Sequence, residues 1–308
     1  MAGENRLRIG VVGSGRMGSG IAYMLAQAGN AVSLFDTDPA SLELLPERFD
    51  SIAGLLGHDG AALRRINSST DLATIVQKAD MVVEAAPEKL ELKQSLFSQF
   101  DELTPTHAIL ASNTSAIPIA SIAKPVRDKS RVIGTHFWNP PHLIRLVEVV
   151  QSDPDSGPVI AKAMAILGGA GWTPVHLKRD IPGFVGNRMQ HALKREAIAL
   201  VAAGVCDAET VDTVVKMGFG GRLGVIGPLE QSDMLGLELT QNIHNVLLPD
   251  LDVTPHTQDH LNNLIAEGKL GMKTGEGFRS WTEEQADEVR NRLDNFLAEQ
   301  ARKMARNN

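Results

Sequence analysis

The stretch Ile9-Gly10-Val11-Val12-Gly13-Ser14-Gly15-Arg16-Met17-Gly18 decides the fold. Its first four residues are a short apolar run that reads as a buried strand. The glycines that follow have the spacing of a tight strand-to-helix turn. Gly13 makes the turn, Gly15 lets an anionic group approach the backbone, and Gly18 allows close packing of helix on strand. The helix that follows, read over 20–28, points unpaired amides at a phosphate. A glycine turn alone is a weak sign. Here the next apolar run, 31–35, ends at Asp36, which lies 18 residues past Gly18, where an acceptor for a ribose hydroxyl belongs. An acid at that place repels a 2′-phosphate, so the turn favours NAD over NADP, while FAD shares the same spacing. Gly13, Gly15, Arg16, Met17, Gly18 and Asp36 are therefore the candidate dinucleotide-binding residues.

Outward from this turn, short β-branched runs at 9–12, 31–35, 81–84, 108–112, 132–135 and 147–149 alternate with helical patterns. Such alternation builds βαβ units and a mostly parallel sheet. A run at 173–177 closes the series, and Asp180-Ile181-Pro182-Gly183 then punctuates the chain. Beyond it only helical patterns follow, at 184–203, 208–217, 229–246, 256–267 and 283–306. The expected fold is α/β: a Rossmann-type, doubly wound domain over 1–185, followed by an all-helical domain over 186–308.

At 308 residues, 43% hydrophobic and 22% charged, the chain has the composition of a globular protein of about two domains. A net charge of -7 argues against broad nucleic-acid or anionic-membrane binding, so an anionic ligand needs local cations. The single cysteine, Cys206, excludes a disulfide framework. No apolar run approaches the roughly 18 residues of a spanning helix, and the first residues show no secretory pattern, so a cytoplasmic location is expected. His256 and His260 stand four apart but lack the His-Glu-x-x-His pattern, so no metal site is expected.

Alcohol oxidation by NAD needs a base for the hydroxyl proton and donors for the oxygen. His136 follows the run at 132–135, at a strand end where ligands of doubly wound sheets bind. Glu148 stands in another apolar run, where a charge needs a partner. A carboxylate behind a histidine fixes its tautomer, so the two form a candidate base-and-orienter pair. The same spacing also suits a hydrogen-bonded core histidine and a rim acid.

Several segments occur in the order of the L-3-hydroxyacyl-CoA dehydrogenase family, which the chain resembles over about 7–280. They are Gly13–Gly18, Ala111-Ser112-Asn113-Thr114-Ser115, His136-Phe137-Trp138-Asn139-Pro140-Pro141, Leu146-Val147-Glu148-Val149, Pro182-Gly183-Phe184-Val185-Gly186-Asn187-Arg188 and Lys273-Thr274-Gly275-Glu276-Gly277-Phe278. The resemblance implies an NAD-dependent dehydrogenase with His136 and Glu148 as the catalytic pair. It implies Ser115 and Asn187 as donors to the substrate oxygen, and Asn139 as support for substrate or nicotinamide. It further implies Glu88, Lys93, Ser115 and Lys273 as cofactor contacts, and a homodimer made through the helical domain. On composition alone, Glu88, Lys93 and Lys273 read as solvated surface residues.

Two departures bear on the substrate. The segment 37–69 looks shorter than the long helical hairpin of the acyl-CoA enzymes. The glycine-rich link 217–228, with Arg222, looks more like the branches acting on free hydroxy acids or small alcohols: gulonate dehydrogenase/lambda-crystallin, carnitine dehydrogenase and a pyridoxine-degradation dehydrogenase. Arg222 is then a candidate clamp for a substrate carboxylate, because guanidinium matches carboxylate in a bidentate fork. The expected reaction oxidises the hydroxyl of a small hydroxy acid or alcohol. A CoA thioester substrate is the alternative, and a silent NAD-binding structural protein is the reading from another class.

Overall fold

The computed structural model describes residues 6–306. In chain order the first unit contains β1 (Arg8–Val12), α1 (Arg16–Gln27), β2 (Ala31–Phe35), α2 (Pro39–Glu43), α3 (Leu45–Leu56), β3 (Ile66–Ser69), α4 (Leu72–Val76), β4 (Met81–Glu84), α5 (Leu90–Leu103), β5 (Ile109–Ser112), α6 (Ile119–Ile122), β6 (Val132–Phe137), β7 (Leu146–Gln151), α7 (Gly157–Gly169) and β8 (Thr173–Leu177). The helical unit contains α8 (Gly186–Ala202), α9 (Ala208–Met217), α10 (Pro228–Leu235), α11 (Leu237–Leu247) and α12 (Asp259–Ala266), and α13 (Glu283–Arg306) ends the chain.

The eight strands form one sheet in the order β3-β2-β1-β4-β5-β6-β7-β8. All neighbours are parallel except β6 and β7, which run antiparallel. The order reverses between β1 and β4, which opens a crevice above their carboxyl ends. Side chains alternate across the sheet. Val11, Val83, Ala111 and Val149 pack under α1, α3 and α7, whereas Val12, Val82, Leu110 and Val150 pack under α4, α5 and α6. The sheet is thus buried on both faces, which is why its strands read as continuous apolar runs. The edge strands are the exceptions: β8 is largely exposed, and so, with the more polar sequence, is β3. Its sequence Ile66-Asn67-Ser68-Ser69 is polar because it lies at the sheet edge, and it carries no apolar signal for sequence reasoning to find.

The chain divides into two compact units, 6–185 with 293–306, and 186–292. The sequence reading gave all of 186–308 to the helical domain. The structure instead packs Ala298 and Ala301 of α13 into the core beneath α1 and α3, with Arg302 Nε donating to Leu55 O at 2.9 Å. Leu293 and Phe296, which look like the apolar stripe in sequence, remain exposed. Alanines are the buried face because they let the helix approach closely. In the helical unit, the pattern over 229–246 is two helices, because Gly236 adopts φ 96° between α10 and α11. No residue between 186 and 285 is buried.

Candidate active site

The glycine turn joins β1 to α1 at the sheet crevice. Gly13 adopts φ 105°, and a Cβ there would lie 2.6 Å from Ala85 O. A Cβ on Gly18 would lie 1.7 Å from Gly13 O, so helix and turn touch backbone to backbone. At Gly15 a Cβ would meet nothing within 4 Å, because that glycine faces open space. The space is a cavity of about 550 Å³ whose lining includes Gly13, Gly15, Arg16, Met17, Asp36 and Ala85. Asp36 Oδ2 accepts from Ser14 N at 2.8 Å and Ser14 Oγ at 2.7 Å, and Oδ1 accepts from Asp38 N at 3.1 Å. Partial burial alone would raise the Asp36 pKa. These donors outweigh it and hold the carboxyl below its ordinary value. The residue is therefore an anion at neutral pH, suited to ribose hydroxyls and hostile to a 2′-phosphate. Arg48 Nη1, on α3, donates to Ser14 O at 2.6 Å and braces the turn from behind. Open glycine backbone, helix N-terminus and ionised acid together fit a dinucleotide.

Further along the carboxyl edge of the sheet, the antiparallel pairing puts His136 directly opposite Glu148. Opposed residues project from the same face with neighbouring Cβ atoms. His136 Nδ1 lies 2.7 Å from Glu148 Oε2, and the residues are 4% and 1% exposed. Glu148 Oε1 accepts from Val185 N at 2.9 Å. A carboxylate held in this way takes the Nδ1 proton as its hydrogen bond, which leaves Nε2 with the lone pair of a base. The imidazole is flanked by Trp138 and Phe184, with ring centroids at 6.0 and 5.3 Å. Phe184 is buried with φ 51°, a left-handed conformation rare for an aromatic residue, and it leads into Val185, whose amide reaches Glu148. The indole Nε1 of Trp138 is buried with no hydrogen-bond partner.

Ser115 is exposed in the loop after β5, next to β6 in the sheet. Asn113 Oδ1 accepts from Phe137 N at 3.0 Å, so the strand end before Ser115 is tied to the strand end bearing His136. Asn139 is exposed just beyond β6. Glu88 lies in the loop before α5, and its Oε1 accepts from Ser115 N at 3.0 Å and Ala116 N at 3.1 Å. Lys93, expected at the cofactor, is 1% exposed and paired with Glu84 at 2.7 Å. Sequence reasoning missed Glu84, a fully buried acid at the end of β4; its one signal was a charge closing the apolar run 81–84.

Asn187, Arg222 and Lys273 lie in the helical unit. Asn187 is the second residue of α8, Arg222 is exposed at the end of a single 3-10 turn, and Lys273 is exposed in another. Lys273 also lines a groove of about 990 Å³ within that unit, together with His191, Lys194, Arg195 and Trp281.

Comparison with known proteins matches residues 8–181 to the 3-hydroxyacyl-CoA dehydrogenase NAD binding domain and residues 183–281 to the C-terminal domain of the same enzymes. The chain belongs to the 3-hydroxyacyl-CoA dehydrogenase family. It is an NAD-dependent oxidoreductase acting on CH–OH groups, as the rest of that family is. Among its relatives, 5-formyl-3-hydroxy-2-methylpyridine 4-carboxylate 5-dehydrogenase of Mesorhizobium japonicum is 34% identical, covering 96% of this chain and 95% of the relative. Human mitochondrial hydroxyacyl-coenzyme A dehydrogenase is 36% identical, covering 87% of this chain and 89% of the relative. A crystal structure of the pyridine carboxylate dehydrogenase, described as an NAD+ dependent dismutase, superposes with TM-score 0.88 at 32% identity, covering 97% of this chain and 99% of that one. (S)-3-hydroxybutyryl-CoA dehydrogenase from Ralstonia eutropha gives TM-score 0.74 at 31% identity, covering 90% and 100%.

Proposed function

We propose that this dehydrogenase oxidises the hydroxyl of a small, carboxylate-bearing molecule rather than a CoA thioester. The observation that carries the reading is the likeness in size and shape to the pyridine carboxylate enzyme, TM-score 0.88 against 0.74 for the acyl-CoA enzyme, at nearly equal identity. The segment between Asp36 and β3 supports it. It holds only the short α2 and the 12-residue α3 before a single 3-10 turn, a small platform for a CoA moiety. Trp138 beside His136 offers a flat wall to a ring substrate. A second reading, a 3-hydroxyacyl-CoA substrate, is favoured by the 36% identity to the human acyl-CoA enzyme.

In the proposed reaction His136 Nε2 takes the substrate hydroxyl proton, and Glu148 stabilises the imidazolium through Nδ1. Ser115 donates to the substrate oxygen, where charge develops. NAD, when bound, supplies the hydride acceptor. We assign Asn187 as a second donor to that oxygen, Asn139 to substrate or nicotinamide, Arg222 to the substrate carboxylate, and Lys273 and Glu88 to the cofactor, each from its match to the family or its branches. The exposed helical faces support a homodimer. No described helix is long and apolar enough to cross a membrane. We place the protein in the cytoplasm, a reading supported by its one free thiol, Cys206.

The test is NAD+ reduction with two panels side by side: 3-hydroxyacyl-CoAs of several chain lengths, and free hydroxy acids and alcohols that include pyridine-ring carboxylates. Turnover with the free acids alone is expected, and turnover with thioesters alone overturns the reading. Arg222→Ala then raises KM for the free acid about tenfold or more, with kcat little changed.

A further inference from the structure

We propose that Lys93 and Glu84 are positioning residues. Together they hold Glu88 as an ionised clamp on the turn that carries Ser115.

An ammonium has three N–H groups. Lys93 Nζ donates to Glu84 Oε1 at 2.7 Å and to Ala86 O at 3.3 Å, and it forms an ion pair with Glu88 Oε2 at 3.3 Å. With its side chain 1% exposed, Lys93 spends its charge inside the protein. Glu84 is fully buried and equally committed. Its Oε1 also accepts from Ala86 N at 2.7 Å, and its Oε2 accepts from Ser112 Oγ at 2.6 Å. One buried ion pair therefore joins the carboxyl ends of β4 and β5 to α5.

Glu88 is different, because it is the half-exposed member of the group. Its Oε1 gathers three donors from a single turn: Thr114 Oγ1, Ser115 N and Ala116 N. Thr114 Oγ1 in turn accepts from Ile117 N at 3.0 Å. Only an ionised carboxylate accepts all of these well. Burial pushes the Glu88 pKa up, but the Thr114 hydroxyl, Lys93 and the two amides bring it below its ordinary value. Without Lys93, Glu84 would be a buried charge with no counter-ion, and Glu88 would lose its cation. The consequence reaches Ser115, since the turn that aims its hydroxyl hangs on Glu88.

This inference rests on the reading of Ser115 as the donor to the substrate oxygen, so its test separates the two. The variant is Lys93→Met combined with Glu84→Gln, which leaves the buried site neutral; Thr114→Val is a second variant that removes one strand of the clamp without touching the ion pair. Amide hydrogen exchange over 113–117 is expected to quicken about tenfold or more in both, with other segments unchanged. The Kd for NADH, read by fluorescence titration, is expected to rise, because Glu88 is assigned to the cofactor, but by less than the fall in kcat on the active panel substrate, which is about 10- to 100-fold. Unchanged exchange at 113–117 overturns the proposal, as does a loss of NADH affinity as large as the loss of kcat. Faster exchange with full turnover also overturns it, because the clamp would then have no bearing on Ser115 as a donor. If the double variant does not fold, the Thr114→Val result decides by the same criteria. An unmodified protein that turns over neither panel strikes only at the proposed function, since the exchange and NADH measurements need no substrate.

Discussion

At the scale of single residues, the proposed base, His136, is defined by the hydrogen bond behind it. Glu148→Gln keeps the shape and can still accept from Val185 N, but it offers an amide N–H toward His136 Nδ1. That bond favours the tautomer with its proton on Nε2, where the base is needed. We expect kcat to fall about 10²- to 10⁴-fold with NADH affinity unchanged, checked by steady-state rates beside a binding titration. His142 makes a different prediction. Burial, with Arg145 and Arg16 nearby, pushes its pKa down to about 4, and its Nδ1 is buried without a partner. The unfolded chain binds a proton there near pH 6.5 and the folded chain does not, so stability falls as pH drops from 6.5 towards 4. The contribution is about 3 kcal/mol at most across that window. Denaturant unfolding at pH 7 and pH 4.5 should show His142→Leu losing less stability on acidification than the unmodified protein. An equal loss in both would remove His142 as the cause.

At the scale of elements, the strand–turn–helix unit uses its glycines for separate ends. Gly18→Ala drives a Cβ into the carbonyl of Gly13, with no flexible side chain to give way. It should destabilise the protein by more than about 3 kcal/mol. Gly15→Ala meets nothing in the protein, so thermal unfolding should change little. Its methyl enters the space proposed for the dinucleotide, and NADH affinity should fall about tenfold or more. Thermal melts and NADH titration on the two variants separate these effects. If both lose stability alike, the open space at Gly15 has been misread.

At the scale of the whole molecule, the helical unit, 186–292, buries only the small side chain of Ala286. Val225, Met217 and Leu229 are 89%, 83% and 79% exposed, and α10 and α11 add Met234, Leu237, Ile243 and Val246 to the exposed apolar residues. A helical layer that fully buries so little is not stable alone. We expect light scattering to give twice the chain mass. Leu229→Lys with Val246→Lys should shift the protein toward monomer and lower its melting temperature. A monomeric unmodified protein would leave the exposed faces without an account.

The glycine turn, the acid at Asp36 and the places of most strands along the chain are legible in the sequence. These are local: a glycine needed for close approach, or an apolar run buried on both faces, reports on itself. The sequence did not disclose β3, whose edge position removes the demand for apolar residues, nor the break at Gly236, which an unbroken apolar period conceals. His136 and Glu148 could be named from sequence, but their meeting depends on the one antiparallel pairing in a parallel sheet. The inward turn of Lys93 likewise depends on Glu84, from another element, lying 2.7 Å away. Charges settle where their partners are, and partners distant in sequence come together only when the sheet assembles. That is why the chemistry was legible in residues while the roles of Lys93, Glu84 and α13 were decided by tertiary structure alone.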